Sequence, residues 1–105
     1  MTRKEYERFV SERCHAYVDL NYCVIALNGE AGEVAEWHKK FNLRGNPGGK
    51  LSHQDLLREI GDVLFYLTRL AQVNGWSLSD VMDENQAKLL ERQRDFHVPL
   101  EGQPA

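Results

Sequence analysis

The chain has 105 residues, 42% of them hydrophobic and 28% charged, with a formal net charge of −3. That length supports one domain with one core. The mild negative charge and the absence of a basic run argue against duplex nucleic acid as a partner, and no apolar run is long enough to span a membrane.

The opening residues, MTRKEYERF, are charged and carry no apolar core of a signal peptide, which points to a cytoplasmic protein. Thr2 with Glu5 forms a capping box, and a first helix is predicted over about residues 3–17, with Tyr6, Phe9, Val10, Tyr17 and Val18 on its apolar side. A second helix is predicted over about 21–42, capped by Asp19 or Asn21. Its apolar stripe is Cys23, Leu27, Val34, Trp37 and Phe41. The segment LRGNPGG then breaks the pattern.

Ser52 with Asp55 opens a third helix over about 53–74, with Ile60, Val63, Leu64, Leu67, Leu70 and Ala71 as its apolar stripe, closing at Asn74-Gly75. Ser77 with Asp80 opens a fourth, to about residue 95. No strand-like alternation competes, so the fold class is all-α, a four-helix bundle-like single domain over residues 1–96, with 97–105 as a flexible tail. Ile25 and Phe65 point away from their stripes, which implies burial against a second subunit.

Cys14 and Cys23 lack metal or redox spacing and read as reduced core residues. The four histidines form no HExxH or ExxH pair, which disfavours a zinc or di-iron site. RGNPGGK lacks the spacing of a Walker loop and reads as a loop, with a lid over phosphates as its alternative.

Chemistry concentrates in two acidic pairs, Glu30/Glu33 and Glu59/Asp62. A spacing of three places both carboxylates of a pair on one side of a helix. Glu30 falls inside the apolar stripe of the second helix, where a charge is costly unless paired or bound to a cation. Gly32 and Gly61 sit inside the two pairs, each at a cost of about 1 kcal/mol to a helix, and their small size would let the helices approach closely. Carboxylates without histidine favour a hard cation such as Mg2+, with Mn2+ as the alternative ion.

GEAGEVAEWHKK, EIGDVLFYLTRLA and NQAKLLERQRDF together resemble the MazG-like all-α nucleoside triphosphate pyrophosphohydrolases. The resemblance covers roughly residues 20–96. It rests on an ExxE motif (Glu30, Glu33), an ExxD motif (Glu59, Asp62) and an Asn-xx-Lys-xxx-Arg segment (Asn85, Lys88, Arg92). It implies Mg2+-dependent cleavage of a ribo- or deoxyribonucleoside triphosphate to the monophosphate and pyrophosphate, in house-cleaning of the nucleotide pool. It also implies a homodimer or homotetramer. Many members carry a further glutamate before the ExxE. Gly29 stands there in this chain, which leaves the number of metal ions and the identity of the base open.

Glu30, Glu33, Glu59 and Asp62 are thus the expected catalytic metal ligands. Lys40, Lys88 and Arg92 are the candidate phosphate binders, and Asn85 needs a hydrogen-bond partner because it interrupts an apolar face. Trp37 is a candidate for stacking on a base; Phe9, Tyr17 and Tyr22 are weaker ones. Two other readings compete: a phosphoribosyl-ATP pyrophosphohydrolase, and a metal-binding or regulatory helical bundle without catalysis.

Overall fold

The computed structural model describes the backbone of residues 1–96 and the side chains of residues 1–93. The tail expected over 97–105 lies outside the described residues. The elements are α1 (Arg3–Arg13), α2 (Leu20–His38), a π-helical turn (Lys39–Leu43), a 3-10 turn (Pro47–Gly49), α3 (His53–Val73) and α4 (Leu78–Phe96). Every described element is helical, so the fold class is all-α.

Local chemistry sets the boundaries. Thr2 and Glu5 close a reciprocal capping box at α1, and Ser52 and Asp55 another at α3. Asp19 accepts from the Tyr22 amide and starts α2. At α4, Ser77 donates its amide to Asp80 and its hydroxyl accepts the Asp80 amide. α1 ends four residues before the sequence expectation, because Cys14 is already extended (φ −87°, ψ 131°). Tyr17 and Val18 therefore lie in the connection to α2.

The loop between α2 and α3 is held from within. Asn46 adopts a left-handed conformation (φ 53°). Its side chain donates to the Leu51 carbonyl at 2.9 Å and accepts the Leu51 amide at 3.1 Å. Asparagine tolerates this backbone region better than most residues. Trp37 then ties the end of α2 to the start of α3, its indole N–H donating to the Ser52 carbonyl at 3.0 Å.

α2 and α3 form the main pairing. Trp37 meets His53 at one end, and Tyr22 meets Tyr66 nearer the other, so the two helices run antiparallel. α1 packs on α3, fastened by Gln72 donating to the Glu7 carbonyl at 2.8 Å. The Glu7 carboxylate pairs with Arg3 and accepts the Leu78 amide, which ties α1 to the first turn of α4. Arg69 donates to the Val18 carbonyl at 3.0 Å and fixes the α1–α2 connection.

The core is small. Val10, Val18, Cys23, Thr68 and Ala71 are buried where α1, α2 and α3 meet, and Trp37 is buried beside the loop. Half of the predicted core stripe of α3 is open in one chain, with Ile60 50%, Leu64 41% and Leu67 43% exposed, while Val63 and Leu70 are half-buried and Ala71 is buried. α1 covers only the adjacent face, centred on Thr68 and Ala71. The glycines do not serve close packing either. A methyl group added at Gly29, Gly32 or Gly61 meets nothing within 4 Å in one chain, and Gly61 lines an open cleft.

Candidate metal and nucleotide site

The antiparallel pairing sets Glu30 of α2 opposite the first half of α3. Glu59 and Asp62, three residues apart, project from one side of α3 toward it. One carboxylate oxygen from each of Glu30, Glu59 and Asp62 lies within 4.8 Å of the others. Glu30 and Glu59 are half-buried and Asp62 is exposed. None of the three carboxylates makes an ion pair among the described residues.

Electrostatics record the crowding. The Glu30 carboxyl is raised above the ordinary carboxylate range, first by burial, then by the charges of Asp62, Glu59 and Glu33. Desolvation and like charge both disfavour its ionised form, and a cation among the three oxygens would relieve both. The donors are all hard oxygens, so the set suits Mg2+ or another hard divalent ion. Carboxylates of a suitable number, spacing and missing counter-charge therefore fit a metal.

The cluster opens into a cleft of 530 Å³. Glu30 and Asp62 line it together with Tyr6, Phe9 and Arg13 of α1 and Arg58, Phe65 and Tyr66 of α3. Burial and the Asp62 charge push the Tyr6 phenol up. Burial, Tyr22 and the Glu30 charge do the same at Tyr66. Both phenols stay neutral and bring O–H groups to the rim of an acidic site.

The other sequence-expected residues divide. Glu33 is exposed and stands outside the three-oxygen cluster, though its charge reaches Glu30. Lys40 is ion-paired with Glu36 at 3.5 Å. Asn85 and Lys88 line a separate 860 Å³ cavity between the α3–α4 turn and α4, with Trp76 and Asp80. That cavity is larger, but it holds none of the three clustered carboxylates. Asn85 is exposed in one chain, as is Arg92. Trp37 is 5% exposed, stacks on Phe41 at 4.6 Å and bonds Ser52, so its ring is committed to the core.

Residue-by-residue reading passed over Arg13, Arg58 and Tyr6. Arg58 carried a local signal, since it lies one turn before Asp62 on the same helix. Tyr6 and Arg13 carried none, because only the long-range packing of α1 on α3 brings them to the site. Phe65, read as pointing outward, lies in the cleft with its ring edge-on to Tyr66 at 5.2 Å.

Residues 21–97 match the family model described as the MazG nucleotide pyrophosphohydrolase domain. The chain is 40% identical over 83 residues to the Gene 37 protein of Mycobacterium phage L5, covering 76% of this chain and 71% of that one. It is 39% identical over 72 residues to the uncharacterized protein YvdC of Bacillus subtilis (strain 168), covering 63% of this chain and 68% of the relative. No solved structure matches the chain.

Proposed function

Because the chain belongs to the MazG nucleotide pyrophosphohydrolase domain family, we propose that it hydrolyses a nucleoside triphosphate to the monophosphate and pyrophosphate, with Mg2+, in house-cleaning of the nucleotide pool. The observation that carries this reading is the cluster of Glu30, Glu59 and Asp62 at the mouth of a nucleotide-sized cleft.

The substrate and the site are both anionic, and neither tolerates the other without a cation between them. Glu30, Glu59 and Asp62 would hold the ion, with Glu33, one turn from Glu30, as the fourth carboxylate. A bound Mg2+ would neutralise phosphate charge and acidify a water for attack on the α-phosphorus. The carboxylates also orient that water and can take up its proton.

The same reading includes assembly as a homodimer or homotetramer. α4 packs chiefly on α3 and leaves Val81, Met82, Leu89 and Leu90 exposed, while α3 leaves Ile60, Leu64 and Leu67 open. Exposed apolar residues on two neighbouring helices are what a second subunit covers. Asn85, Lys88 and Arg92 then reach a substrate only if assembly brings α4 against a cleft. Cys14 and Cys23 are both free thiols, which agrees with a cytoplasmic setting.

The test is pyrophosphate release from a panel of standard and modified nucleoside triphosphates in Mg2+, Mn2+ or EDTA. Metal-dependent release with a monophosphate product is the expected result. Release from phosphoribosyl-ATP alone would move the assignment to that substrate. Metal binding and assembly without any release would leave a non-catalytic bundle.

A further inference from the structure

We propose that α1 is the nucleotide-recognition wall of this site: Arg13, with Arg58 opposite, binds the phosphate tail, and the Phe9 ring stacks on the base. The inference rests on the nucleotide reading above and adds residues that lie partly outside the segment 21–97 matched to the family.

Arg13 and Arg58 both line the cleft that Glu30 and Asp62 enter. Neither arginine makes an ion pair among the described residues, whereas Arg3 pairs with Glu7, and Lys39 and Lys40 with Glu36. A cleft with separated, uncompensated charges of both signs is built for a ligand that supplies both counter-charges. A triphosphate with a divalent ion does so, the ion lying on the carboxylates and the phosphate oxygens on the guanidinium forks. The lysines suggested by motif position do not compete for this role within one chain, since Lys40 is held by Glu36 and Lys88 faces the other cavity.

An aromatic ring stands beside these charges. Phe9 lines the cleft and is 44% exposed, with Tyr6 at 6.1 Å supporting its ring. The Arg13 guanidinium carbon lies 5.8 Å from the Phe9 ring centre, a cation–π placement. That position gives Arg13 a resting place beside the ring and phosphates to move toward. A phenyl ring accepts any base face by stacking. Its place in the cleft that Glu30 and Asp62 also line would rank bases by size and reach.

The test is calorimetric binding, in Mg2+, of nucleoside triphosphate analogues whose α–β bridge is a non-hydrolysable imido group, with inorganic tripolyphosphate as a second probe. Arg13→Gln and Arg58→Gln are each expected to raise Kd about tenfold or more for both probes. Phe9→Ala should weaken the nucleotides and flatten preference among bases while leaving tripolyphosphate unchanged. Arg13→Lys, which keeps the charge without the fork, should recover part of the loss. Arg8→Gln, exposed on α1 away from the cleft, should bind as wild type. Wild-type affinity in Arg13→Gln, Arg58→Gln and Phe9→Ala would overturn the recognition wall and leave the nucleotide reading standing. Failure of the unmodified protein to bind any analogue would overturn the nucleotide reading and this inference together.

Discussion

At the scale of single residues, the site is a problem of unpaid charge. Glu30 sits half-buried beside two other carboxylates, and its carboxyl is raised above the ordinary range by burial first and by those neighbours second. In the metal-free protein the folded state thus binds this proton more tightly than the unfolded state does. The stability it contributes is present below the ordinary carboxylate range and is lost as pH rises through the raised value. Glu30→Gln should therefore raise Tm in EDTA near neutral pH, and should remove most of the further rise that Mg2+ produces. Differential scanning fluorimetry with and without Mg2+ reads both effects; a lower Tm in EDTA would mean that Glu30 is not under strain. Asp62→Asn and Glu33→Gln should each lower kcat by at least about a hundredfold with unchanged far-UV circular dichroism. Full activity in either variant would remove that residue from the proposed metal set.

At the scale of elements, the loop between α2 and α3 decides whether the carboxylates meet. Antiparallel helices bring Glu30 opposite Glu59 and Asp62 only in one register. That register is pinned by Trp37 donating to Ser52 and by Asn46 gripping the Leu51 backbone on both sides. Ser52 also caps α3. Ser52→Ala should cost about 1 kcal/mol of stability, seen in urea unfolding, while leaving the Trp37 bond to the Ser52 carbonyl available. Asn46→Ala removes two hydrogen bonds and a residue suited to a positive φ. It should cost more than Ser52→Ala and weaken metal binding as the register loosens, measurable as a higher Kd for Mg2+. The capping boxes, the breaker and the helix spacing were legible in the chain because they are local, satisfied within three or four residues. The end of α1 was not, since the apolar spacing of Tyr17 and Val18 continues past the point where Cys14 becomes extended.

At the scale of the whole molecule, one chain is spread out. Its radius of gyration is 17.1 Å, against about 13 Å for a compact domain of this size. α4 projects with both a cation motif and an apolar face in the open. Assembly would cover that face, so Tm should rise with protein concentration over a hundredfold dilution series. Leu64→Glu or Leu67→Glu should shift the protein to monomer in sedimentation and abolish the concentration dependence. A single concentration-independent Tm for the unmodified chain would show that the exposed stripe needs no partner.

The sequence by itself determined that the chain is helical, where its four helices begin, and which acidic residues fall in pairs on one side of a helix. Helix periodicity and caps are short-range, and an acidic pair inside an apolar stripe is visible in any order of reading. Only the tertiary structure decided which of those carboxylates share a space. It put Glu30, Glu59 and Asp62 together and left Glu33 to the side. It also set Arg13 and Arg58 in the cleft that Glu30 and Asp62 line, Lys40 beside Glu36 and Lys88 in the other cavity. It showed, too, that Trp37 belongs to the core. Those outcomes depend on how α1 packs on α3 and how α2 pairs with α3. They are set by contacts such as Gln72 on Glu7 and Arg69 on Val18, between residues more than fifty positions apart in the chain, and spacing along one helix carries no record of them.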